Sequence, residues 1–112
     1  MSARSSLNFP NNLTQVPISI LASGPATLVP GTPGKTTKVF RMKLIWSAAT
    51  NITFFDENTM IDNLIFPGAG AMVLDFTTID MPPWYETSPG NDLVIVNSGL
   101  AGLSGNLDYL QS

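Results

Sequence analysis

Between Lys38 and Ala48 the side chains alternate, with Phe40, Met42, Leu44 and Trp46 interleaved with Val39, Arg41, Lys43 and Ile45. A period of two sends successive side chains to opposite faces of a strand, so the first set faces a core and Arg41 and Lys43 share the other face. No stretch of ten or more residues carries helical spacing. The rest of the chain is short β-branched and aromatic segments cut by Gly, Pro, Asn and Asp clusters, which is the pattern of strands and turns. The predicted strands are Gln15 to Leu21, Ala26 to Val29, Lys38 to Ala48, Ile52 to Asp56, Ile61 to Phe66, Ala71 to Phe76, Leu93 to Asn97 and Leu103 to Leu110. The last puts Leu103, Gly105, Leu107 and Tyr109 on one side and Ser104, Asn106, Asp108 and Leu110 on the other. Pro30-Gly31, Pro33-Gly34, Pro67-Gly68 and Pro89-Gly90 mark turns, where Pro presets φ and Gly supplies positive φ. The expectation is an all-β fold, an antiparallel β-sandwich or jelly roll of about eight short strands.

At 112 residues the chain holds one core. Met1 to Asn12 is polar and aperiodic, with Leu7 and Phe9 isolated, and reads as an extended N-terminal arm (1–12) on a single β-sandwich domain (13–112). Charged residues make up 12% against 44% hydrophobic, about half the charged share of a typical domain. Five basic and eight acidic side chains must cover roughly 6000 Å² of surface, so much of that surface is expected to be buried by neighbours and the protein to be a homo-oligomer. High hydrophobicity with low net charge argues against disorder. No apolar run reaches the ~18 residues that span a bilayer, and Met1 to Pro10 lacks a signal peptide, so no membrane partner is expected. A net charge of −3 argues against nucleic acid. All basic residues (Arg4, Lys35, Lys38, Arg41, Lys43) precede residue 44 and all acidic ones follow residue 55, which suggests a cationic and an anionic face.

The chain lacks both Cys and His, which removes disulfides, thiolate chemistry, the usual zinc sites and imidazole-based catalysis. Gly31 to Thr36 ends like a phosphate-binding loop, but the required first Gly falls at Val29 and Pro33 removes an amide donor. Gly68-Ala69-Gly70 opens like a dinucleotide fingerprint with Val73 at its third small position and no helix behind it. Asp56, Glu57 and Asp62 lie close enough in sequence to suggest a carboxylate pair, yet in a loop where solvated acids are ordinary. The same stretch lacks the alternating ligands and Gly of a calcium loop. The expectation is a protein that is not an enzyme, with no metal and no cofactor.

Two features remain. Met81 to Thr87 sets Trp84 and Tyr85 beside a rigid Pro-Pro, where exposed rings would stack on a sugar or anchor a protein, or one of them would close the end of the sandwich. Lys35, Lys38, Arg41 and Lys43 form either a solvated strand face or a contact with an acidic partner.

Gly34-Lys35 leading into Val39-Phe40-Arg41-Met42, Asn51-Ile52-Thr53-Phe54, the Pro67 to Gly70 turn, Pro83-Trp84-Tyr85-Glu86-Thr87, Gly90-Asn91-Asp92-Leu93-Val94-Ile95 and Gly105-Asn106-Leu107-Asp108-Tyr109 follow one another. Over residues 14 to 111 this series resembles the small capsid decoration, or cement, proteins of tailed bacteriophages, a group with β-sandwich or jelly-roll bodies that also includes head-fibre and tail modules. The resemblance implies a structural virion protein on the outer surface of the capsid, bound to the major capsid protein, a homotrimer by analogy, with no catalytic residue. The alternative is a glycan- or receptor-binding module of a head fibre or tail that stacks ligands on Trp84 and Tyr85. The candidate capsid or subunit contacts are Arg4, Phe9, Lys35, Lys38, Arg41, Lys43, Trp84 and Tyr85.

Overall fold

The computed structural model describes residues 13–75, 82–99 and 101–112. The arm, with Arg4 and Phe9, lies outside the described residues, as does Phe76 at the end of one predicted strand.

Among the described residues nine strands are formed: β1 (Thr14–Ile20), β2 (Gly24–Val29), β3 (Thr37–Trp46), β4 (Thr50–Asp56), β5 (Thr59–Phe66), β6 (Gly70–Leu74), β7 (Tyr85–Glu86), β8 (Leu93–Asn97) and β9 (Leu103–Gln111). Eight of them are the predicted eight, β8 with the same bounds and the others shifted at one or both ends. The ninth, β7, is two residues long and sits inside the Pro-rich segment, where no periodicity can signal it. Trp84 N donates to Val39 O and Thr87 N to Thr37 O, so tertiary pairing with β3 alone makes it a strand.

All strands pair antiparallel in two sheets. One runs β1-β9-β3-β6 with β7 also on β3, and the other runs β2-β8-β4-β5. The pairings β1·β9, β2·β8, β3·β6 and β4·β5 nest inside one another around the β4–β5 hairpin. A single antiparallel ribbon, wound so that alternate pairs fall in opposite sheets, produces that order, which is a jelly roll. Because the inner faces are apolar, the sheets close on each other. Ile18, Met42, Leu44, Ile52, Phe54, Ile95 and Leu107 lie at the centre, each worth ~1.5–3 kcal/mol when fully buried.

Two irregularities redirect side chains. In β3 the register slips between Val39 and Arg41, so Val39 joins Met42, Leu44 and Trp46 in the core cluster, while Phe40 is buried outside it. The strict inward set beginning at Phe40 is therefore corrected: a bulge places two residues opposite one and breaks the period there. Asp108 is buried on the outer side of β9, where Arg41 is its cross-strand partner. Gly105 has φ +146 and a Cβ there would overlap the Lys43 carbonyl oxygen, so only glycine allows β9 to approach β3 this closely.

Candidate functional site

Each sheet presents one face to the core and one outward, and the two outward faces differ in chemistry. On the five-stranded sheet, Lys38, Arg41 and Lys43 project outward from β3. The acidic residues segregated from them in sequence meet them in space, since Lys38 lies opposite Glu86 and Arg41 opposite Asp108. Arg41 Nη1 donates to Asn106 Oδ1 at 2.7 Å and lies 3.9 Å from Asp108 Oδ2. A purely cationic face is thus corrected to a mixed one. Antiparallel pairing sets β3 between two acid-bearing strands, and among the described residues Lys43, opposite Asn106 and Val73, is the one of the three without an acidic cross-strand neighbour. Lys35 is exposed in the turn before β3, where its amide donates to Thr32 O.

The Trp84–Tyr85 pair divides. Alternation along a strand sends the two rings to opposite sides. Trp84 stays 44% exposed, its Nε1 donating to Asp75 O at 2.6 Å. Tyr85 is 6% exposed, stacks on Phe54 with centroids 4.6 Å apart, and donates its hydroxyl to Asp62 Oδ2 at 2.8 Å. Burial, the bond to Asp62 and the nearby negative charge all push the Tyr85 pKa up. Tyr85 as a surface contact is accordingly corrected: it is a core residue closing the sandwich.

The outer face of the four-stranded sheet went unnoticed in the sequence. Pro25, Val96 and Thr53 form one cross-strand row, and Thr27, Val94, Phe55 and Met60 form the next. Ile65 and Asn63 complete the face along β5, with Met60 57% and Ile65 69% exposed. Among the described residues, no charged side chain stands in these rows. Pro25, Thr27, Phe55, Val94 and Val96 line a shallow groove of about 450 Å³ that ends at Glu57 and Asn58. Val94 and Val96 alternate with buried Leu93 and Ile95, so the segment reads as apolar on both sides. That pattern is the one available signal, and it does not say which face is left open.

Hydrogen bonds fix the groove's acidic end. Glu57, at φ +54, accepts from Asp92 N at 2.9 Å and its own amide donates to Asp92 O. Asp92 in turn accepts from Gly31 N at 2.6 Å. Asp56 accepts from Ser88 N and Oγ and from Asn91 Nδ2. Desolvation pushes the Asp56 carboxyl up, and these bonds together outweigh it, holding the pKa below the ordinary value. Asp62 is turned away toward Tyr85. The three carboxylates adjacent in sequence are therefore committed to two separate networks, and no pair of them flanks a cleft.

Compared with protein-family models, curated proteins and solved structures, the chain matches none.

Proposed function

We propose that the protein is a structural, non-enzymatic component of a virion, a decoration protein that binds the outer surface of a phage capsid and bridges major capsid subunits. The observation that carries this reading is the inequality of the two outer faces. A small jelly roll with one outer face that mixes charges with exposed Ile45 and Val73 and another that is uncharged along its strand rows is equipped to touch two different neighbours at once. Jelly rolls recur among virion and lectin domains, an analogy of fold that supports the reading without specifying it. Bridging would stabilise a shell by adding buried area between subunits, at about 25 cal/mol per Å² of apolar surface. A trimeric arrangement and the capsid location rest on the resemblance to decoration proteins.

The glycan- or receptor-binding alternative keeps one observation in its favour, the half-exposed Trp84 indole, and has lost its second ring with Tyr85 in the core.

Quantitative mass spectrometry of purified particles tests the reading. A copy number comparable to that of the major shell protein is expected. A few copies per particle would favour the fibre or tail module, and absence from particles would overturn the virion assignment. If Lys43 and its neighbours meet acidic shell surface, occupancy falls as salt rises, because the Debye length shrinks from ~10 Å at 0.1 M to ~3 Å at 1 M. The part held by apolar contact persists.

A further inference from the structure

We propose that the groove on the outer face of the four-stranded sheet receives the N-terminal arm, residues 1–12, of a second copy of this chain. The inference concerns contacts between copies in solution and stands independently of the virion reading.

The face needs an uncharged occupant. Phe55, Val94, Val96 and Pro25 offer apolar surface that a monomer exposes to water, and a charged segment laid over them would lose hydration without gaining a partner. Among the described residues that line the groove the one charge is Glu57, at one end, with Asp92 and Asp56 behind it in the same turn network. The arm has the matching order: Leu7 and Phe9, two residues apart, and one basic residue, Arg4. Residues two apart in an extended chain project to one side ~6.6 Å apart, which is also the spacing of the Val94 and Val96 rows. From Pro25 to Glu57 the groove crosses two strand spacings and four residues of rise, about 16 Å along the diagonal. Phe9 to Arg4 in extended form spans about 17 Å. Phe9 over Val96 and Pro25 and Leu7 over Val94 and Phe55 share one side of the extended arm. Arg4, at an odd separation from both, starts from the other side, and its long side chain must turn back over the end of the groove to meet Glu57. This order fits in one direction.

That direction is a poor match for the chain's own arm. β1 begins at Thr14 opposite Tyr109, at the end of the sandwich where β9 finishes and Gln111 Nε2 bonds Pro30 O, and where Leu93 pairs with Val29. This is the acidic end. Going back from Leu13, the arm meets that end first, which would put Phe9 nearest the carboxylates and Arg4 farthest. To reverse the order, Phe9 must reach Pro25, four residues along β2 and one sheet thickness of ~10 Å away, at least ~16 Å in all. The four residues from Leu13 to Phe9 span at most ~14 Å. A second copy entering from the Pro25 end has no such limit.

The chain contains no cysteine, so introduced thiols report contacts directly. Full-length protein carrying Phe9→Cys is mixed with protein carrying Val96→Cys under mild oxidation, with Val73→Cys on the other sheet as the control partner. The expected result is a linked species of twice 12.0 kDa with Val96→Cys and little with Val73→Cys. Wild type should self-associate in light scattering at micromolar concentration. Phe9→Ser should weaken that association at least about tenfold, the loss of a buried aromatic anchor, and Arg4→Ser about two- to fivefold, more at low salt. Equal linking to Val73, a disulfide formed within a single chain carrying both Phe9→Cys and Val96→Cys, or a wild type that stays at 12.0 kDa would each overturn the proposal.

Discussion

The two sheets share one interior and differ outside it. The outer face of the five-stranded sheet carries Lys38, Arg41, Lys43 and Glu86, with Asp108 buried beside Arg41, and it also exposes Ile45 and Val73. The four-stranded sheet meets solvent through Val94, Val96, Phe55, Met60 and Ile65, while its carboxylates stand outside these rows, Asp56 at the end of β4, Glu57 in the turn and Asp62 on β5 bonded to Tyr85. A monomer has reason to keep the first arrangement, because paired charges remain soluble and cost little. The second has a reason only if something covers it. The shortage of charge is therefore most complete on the outer face of the four-stranded sheet.

The interior is the common support, so its disruption erases the contrast and should have the largest effect. Phe54 is buried beneath Tyr85. Phe54→Ala should cost about 3–5 kcal/mol in urea unfolding, and association through either face should fall with it. Next comes the charged face. Asp108→Ala removes the carboxylate beside half-buried Arg41 and should cost about 1–2 kcal/mol, whereas Lys43→Ser, on the same face and exposed, should stay within about 0.5 kcal/mol. Equal costs would mean that the Arg41 network contributes nothing beyond exposed charge.

Titration separates the sheets' ends. Tyr85 has a raised pKa when folded. Its contribution to stability is complete below the unfolded value of ~10 and declines as pH rises through the folded one. Asp56 has a lowered pKa. Its contribution is complete above the unfolded value of ~3.9 and is lost as pH falls through the folded one. Thermal melts should show Tyr85→Phe flattening the alkaline limb and Asp56→Asn the acid limb. A Tyr85→Phe protein with an unchanged alkaline limb would remove Tyr85 as its cause. The smallest effect is expected at Glu57. Positive φ costs a non-glycine residue ~1–2 kcal/mol, and Glu57→Gly would relieve this while losing the bond to Asp92, for a net change near zero. A large loss there would make the Glu57–Asp92 bond the stronger term.

Much of this was written in the sequence. Alternation in β3 and β9 and the Pro-Gly turns fixed eight strands, because period two and backbone φ are local properties. That the chain carries no thiol and no imidazole is likewise read from the sequence alone. Three things were decided only by tertiary pairing. β7 exists because Val39 and Thr37 offer it backbone partners, and a two-residue strand has no period to read. Tyr85 went inward and Trp84 stayed at the surface, a choice set by the space above Phe54. The basic and acidic residues, separate along the chain, came together because antiparallel pairing places residues distant in sequence side by side. For the same reason, Val94 and Val96 carry no local mark of exposure. Which apolar face of a strand stays open depends on where the other sheet packs, and that is a property of the whole fold.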